Sequence, residues 1–162
     1  GTIGDAGLGL ALLSGREAGA ADSSWLIDRY RRPSPETRLG PALAPWVSAM
    51  MDVSDGLLID ARRMAEASGC AIGIGIDCVP LSDAYLGVSG DDIDARLSAA
   101  SAGDDYCLLF AAPAGNTARI REISAALDCR VSVIGSVTEG QGISLVHRDR
   151  PVELPASLGY QH

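Results

Sequence analysis

Lysine does not occur in this 162-residue sequence; all 13 basic residues are arginine. A phosphate-gripping P-loop lysine, a Schiff-base lysine and a lysine general base are thereby excluded from the chain. Histidine is nearly absent as well. His147 and His162 stand alone, with no second histidine at ligand spacing, so neither a histidine metal site nor a Ser-His-Asp triad is supported. Ser14, Ser54 and Ser82 lack a GxSxG setting, which removes the usual serine nucleophile. The four cysteines, Cys70, Cys78, Cys107 and Cys129, show no CxxC spacing and read as reduced core residues. No run approaches the roughly 18 apolar residues of a membrane span, and the start GTIGDAGLGL lacks the basic flank of a secretory signal. The chain therefore reads as soluble and cytoplasmic, with no membrane partner.

Positive charge is scarce overall. Against 21 acidic residues the 13 arginines leave a net charge of -8, a field that repels a polyphosphate backbone, so no nucleic-acid partner is expected. An acidic protein can still bind a nucleotide when divalent cations screen its carboxylates from the phosphates. The arginine cluster Arg29, Arg31 and Arg32 falls at the end of a helix, where the helix dipole accounts for it. The 47% hydrophobic content supplies one well-buried core, and residues 1–162 read as a single domain.

The hydrophobic periodicity predicts interleaved helices and strands. A first helix runs from Asp5 to Ser14 with Asp5 as a possible N-cap, and a second follows Ser23 as cap and ends before Pro33. The stretch RRPSPETRLGPALAP reads as a proline-rich loop. Residues 48–53 fit a buried strand, and 55–68 a helix stopped by Gly69. In 71–77 isoleucines alternate strictly with alanine or glycine, giving a strand with one bare face that another backbone or a ligand can approach. A short helix is expected from about Asp92 to Ala100, a strand after Gly103-Asp104-Asp105-Tyr106, a helix from Asn116 or Thr117 through Leu127, and strands near 130–135 and 143–147. This order implies an α+β or α/β layered domain with a mixed β-sheet layered with α-helices.

The octapeptide MDVSDGLL at 51–58 places two aspartates and a serine within four residues, between apolar flanks that suggest burial. Buried carboxylates are costly unless they meet donors, basic partners or a metal. On an extended strand Asp52 and Ser54 share a face, and the following turn brings Asp55 to a helix start, where backbone N–H groups can also meet an anion. These are oxygen ligands of the kind that Mg2+ takes, one or two carboxylates beside substrate phosphates. The alternative is a helix cap with Asp52 accepting hydrogen bonds in a turn. Asp104 and Asp105 make a second acidic turn before a strand, which also fits an Asx-type turn.

Taken together, GTIGDAGLGLALL, YRRP at 30–33, MDVSDGLLID at 51–60, Ile76 through PLSDA, GDDY at 103–106, VIG at 133–135 and the final GYQH resemble one family. They are similar, in order and spacing, to the C-terminal domain of the thiamine-monophosphate kinases, within the aminoimidazole-ribonucleotide-synthetase-related superfamily. The resemblance spans the whole chain, and MDVSDGLL is its most specific element. It implies ATP as co-substrate, Mg2+ as cofactor and direct transfer of the γ-phosphoryl group to thiamine monophosphate. It further implies an N-terminal domain, not represented in residues 1–162, that supplies most of the nucleotide- and metal-binding carboxylates and builds a homodimer. On matching positions Asp52 and Asp55 look like Mg2+ ligands and Ser54 like an ATP contact. Where the family places a glutamate at the thiamine substrate, this sequence has Cys107, with Asp105 the nearest compensating carboxylate. Where an aromatic residue usually follows GY-x-H, this sequence ends at His162. The resemblance also leaves room for a superfamily enzyme with another substrate, or for a nucleotide-binding domain without turnover.

Overall fold

The computed structural model describes residues 1–17 and 20–160. Seven helices and six strands alternate among these residues: α1 (Asp5–Leu13), α2 (Ala20–Arg31), α3 (Leu39–Leu43), β1 (Ala49–Val53), α4 (Leu57–Ser68), β2 (Ala71–Gly75), α5 (Asp83–Ser89), α6 (Ile93–Ser101), β3 (Cys107–Ala111), α7 (Thr117–Leu127), β4 (Gly135–Thr138), β5 (Gly142–His147) and β6 (Arg150–Val152). Among the described residues, no helix is long and apolar enough to cross a membrane.

Two sheets share one main core. Strands β1 and β3 form an antiparallel pair in which Asp52 faces Leu108 and Val53 faces Cys107. The second sheet has the order β4-β2-β5-β6, with β2 parallel to β5 and the outer pairs antiparallel. Helix α4 buries Leu57, Leu58, Ile59, Ala61, Met64 and Ala65, among which 57/61/64 and 58/61/65 repeat at helical spacing, against Val53, Ile72, Ile74 and Leu145. At about 1.5–3 kcal/mol for each large aliphatic side chain, this stripe contributes to holding the two sheets together. A cavity of about 640 Å³ remains beside it, with Val53, Ile72, Ile74, Cys107 and Leu109 in its wall. A second cluster joins Leu8 and Leu26 to Leu81, Tyr85, Ala95 and Ala99; a third sets α3 against α7 through Leu39, Leu43 and Ile120.

Several expectations are corrected. Helix α2 starts by Ala20, so Ser23 lies inside it, because the alanines before Ser23 are strong helix formers. Gly4, at φ 89°, holds the cap position of α1, and Asp5 is the first helical residue. The proline-rich loop contains α3, since Leu39 and Leu43 are fully buried and four residues apart. The strand expected at 130–135 begins at Gly135: a Cβ there would lie 1.9 Å from the carbonyl oxygen of Gly73, so the β2–β4 ladder is anchored at the glycine. That approach lies in the plane of the sheet; the bare face of β2 is met by side chains, Ser144 and Ser136 at Gly73 and Cys78 at Gly75, while Ile72, Ile74 and Ile76 point into the core. All four cysteines are free, but only Cys129 is buried and Cys78 is exposed.

Candidate functional site

The two acidic turns singled out in the sequence lie against each other. The amide of Asp104 donates to the carbonyl of Ser54 at 2.8 Å, and that of Tyr106 to the carbonyl of Val53 at 2.8 Å. A Cβ on Gly103 would sit 2.7 Å from the Ser54 oxygen, so only glycine lets the chains approach this closely. Asp104 and Tyr106 are held at φ 68° and 51°, a left-handed conformation that non-glycine residues adopt at a cost. The end of the chain joins the pair: the amide of Tyr160 donates to the carbonyl of Asp55 at 2.8 Å. Gln161 and His162, the last residues of GYQH, lie outside the described residues.

Asp52 is exposed, contrary to the burial expected from its apolar neighbours, because strand alternation turns it away from the core face that holds Val53. It lines an open groove of about 260 Å³ with Pro35, Thr37, Pro41, Tyr106 and Leu108. Glu36 also lines the groove, and no arginine does. The Tyr106 hydroxyl donates to Asp104 at 3.3 Å, and its pKa is raised, first by the Asp104 charge, then by burial, with further contributions from Asp52 and Asp55. Among the described residues, no group of three or more His, Cys, Asp or Glu side chains could hold a metal ion. An open edge with one unencumbered carboxylate suits Mg2+, which binds through one or two carboxylates and completes its shell with water and phosphate.

Behind this edge stand two residues that the sequence reading did not single out, Asp60 and Arg63. Asp60 is fully buried; its Oδ2 accepts from the amides of Ser54 at 3.0 Å and Asp55 at 3.1 Å. Its Oδ1 pairs with Arg63 at 2.8 Å, and the same guanidinium nitrogen pairs with Asp55 Oδ2. These two carboxylates raise the Arg63 pKa, the hydrogen bond that Arg63 donates to Asp55 first. The amides of Ser54 and Asp55, just ahead of α4, are thereby turned inward to Asp60. The signal was present: Asp60 falls three residues after Leu57 and four before Met64, on the apolar stripe of α4, where an aspartate needs partners.

Asp105 and Cys107 lie away from the groove. Asp105 is buried and accepts from the amides of Gly4 at 2.7 Å and Ala6 at 3.3 Å, so a carboxylate 100 residues away caps α1. Burial pushes its pKa up to about 7 even though both amides favour the ionised form. Asp5 turns inward instead, accepting from Thr2 and from Ser82 Oγ at 2.6 Å. Cys107 donates to the Thr2 carbonyl at 3.3 Å and faces the main core, on the side of the sheet opposite to Asp52; burial pushes its thiol pKa up.

A layered α+β domain with two acidic turns interlocked at the edge of a small sheet is the class that these observations define. The chain belongs to the AIR synthase related protein family, matching its C-terminal domain over residues 2–148. Thiamine-monophosphate kinase of Caulobacter vibrioides is 39% identical over 165 residues, covering 100% of this chain and 46% of that protein. The crystal structure of thiamine-monophosphate kinase from Stenotrophomonas maltophilia K279a superposes with a TM-score of 0.83 at 34% identity, covering 94% of this chain and 49% of the other. A structure of AaThiL complexed with AMPPCP and TMP superposes at 0.76 with 30% identity, covering 99% of this chain and 49% of that one. The chain spans about half the length of the curated relatives it matches.

Proposed function

We propose that this chain is the C-terminal half of an ATP- and Mg2+-dependent kinase that transfers the γ-phosphoryl group of ATP to thiamine monophosphate, yielding thiamine diphosphate. The observation that carries the reading is Asp52, an exposed carboxylate that takes no hydrogen bond from the described residues and lines a groove without basic side chains. A bare acidic groove repels phosphate, so phosphate binding here calls for a cation between them. The whole-chain likeness to thiamine-monophosphate kinases, and to a structure holding an ATP analogue with TMP, supplies the substrates.

Asp52 and Asp55 would hold Mg2+, and Ser54, between them, would contact ATP. When bound, Mg2+ neutralises the charge of the phosphates during transfer. Asp55 would hold the ion while its Oδ2 is paired to Arg63, and the backbone zipper with 103–106 fixes the turn. This is catalysis by positioning and charge compensation, and it needs no covalent nucleophile. Asp105 supports from behind by fastening α1 to the second acidic turn. Cys107 would be a neutral wall of the cavity on the other face, where the family's glutamate would meet the thiamine cation. The remaining carboxylates and a homodimer interface would come from a preceding domain, in a cytoplasmic enzyme.

The thiol at position 107 favours one second reading, a superfamily enzyme with another substrate, because a high-pKa thiol offers a cation no charge. Assaying the full-length protein with ATP, Mg2+ and thiamine monophosphate separates the two. Formation of thiamine diphosphate supports the kinase; nucleotide binding without that product supports the other substrate.

A further inference from the structure

The Asp55, Asp60 and Arg63 trio carries a net charge of -1, and its members differ in exposure. The Asp60 side chain is 1% exposed and that of Asp55 14%, whereas that of Arg63 is 42% exposed. One guanidinium nitrogen serves both carboxylates. If Arg63 met Asp55 alone, the pair would be neutral and Asp55 would offer little to a divalent cation. Asp60 supplies the second charge from the protein side, where no solvent or ligand can reach it.

We propose that Asp60 is a positioning residue whose buried charge balances Arg63, so that Asp55 keeps its full negative charge for a divalent cation. The inference rests on the kinase reading for the place of Asp55 at the metal, but not for the identity of the phosphate acceptor. Charge balance explains why a carboxylate is buried at this site, since the two backbone amides that Asp60 accepts could equally be satisfied by a neutral oxygen. It also explains the exposure of Arg63, which sits between the hidden charge and the outward-facing one.

The test uses the full-length protein with Mn2+ as probe cation and AMPPCP as nucleotide, following free Mn2+ by electron paramagnetic resonance. Asp60→Asn makes the trio neutral while keeping an amide-accepting oxygen, and should weaken Mn2+ binding about tenfold or more. Adding Arg63→Gln to that variant restores a net charge of -1, and should return the dissociation constant to within about threefold of wild type. Arg63→Gln alone leaves a trio of charge -2 and should tighten Mn2+ binding, which keeps the idea testable should Asp60→Asn fail to fold. A lower Tm for Asp60→Asn with unchanged Mn2+ affinity would reduce Asp60 to a structural residue. Unchanged or weaker binding in Arg63→Gln would likewise overturn the proposal. If the wild type forms no thiamine diphosphate yet these Mn2+ shifts appear, the kinase reading fails and the charge balance stands.

Discussion

Three buried aspartates, Asp5, Asp60 and Asp105, do more to shape this molecule than the exposed Asp52 that first draws the eye. Each is held by a different set of donors: hydroxyls for Asp5, amides and a guanidinium for Asp60, amides alone for Asp105. Burial of Asp105, with two amides and no salt bridge to offset it, raises its pKa from 3.8 to about 7. Because the folded state holds this proton more tightly than the unfolded chain, the contribution is full below pH 3.8 and is lost as pH rises through about 7. Asp105→Asn mimics the protonated carboxyl and should remove this dependence. Unfolding free energies of wild type and variant, measured at pH 5 and pH 8, should therefore diverge by roughly 2–4 kcal/mol in favour of the variant at the higher pH. A pH-independent difference would show that Asp105 stays ionised in the fold.

At the scale of elements, the close contacts are made by backbone rather than by side chains. Gly135 lets β4 lie on the edge of β2, and Gly135→Ala should cost about 1–3 kcal/mol by forcing the strands apart. Gly115, with open space around its Cβ position, serves as the control; Gly115→Ala should be neutral or stabilise by about 0.4–1 kcal/mol. Urea unfolding of both variants gives the comparison, and equal effects would contradict the register of β2 and β4. The helices with clear periodicity, α4 and α7, and the alternating strand β2 were legible because their patterns are local. So was the family resemblance that MDVSDGLL and GDDY help to carry, but not the backbone pairing of the two turns. The Asp105 cap of α1 was not legible, since its partners are 99 and 101 residues away. Nor was the 135–138 placement of β4, because VSVIG has the better strand composition and only the approach of Gly135 to Gly73 decides the register. Asp60 could have been found from its place on an apolar helical stripe; Arg63 follows from it three residues later.

For the whole molecule, the main core formed by α4 and both sheets is continuous within residues 1–162. We therefore expect this segment to unfold cooperatively by itself, with hydrogen-exchange protection concentrated in α4, β2 and β5, and a molten, unprotected chain would contradict that. The same segment should not form thiamine diphosphate unaided, because it spans about half of the kinases it resembles and, among its described residues, no group of three or more His, Cys, Asp or Glu could hold a metal ion. The core is local to these residues, whereas on the proposed reading the phosphate site would draw on residues beyond them. The most direct measurement is Mg2+-dependent transfer from ATP to thiamine monophosphate by the full-length protein and its Asp52→Asn variant, with Tm recorded for both. The account predicts thiamine diphosphate from the wild type, a fall in kcat/KM of about a hundredfold or more in the variant, equivalent to about 2.7 kcal/mol of transition-state stabilisation, and little change in Tm. Wild-type rates in Asp52→Asn would contradict it.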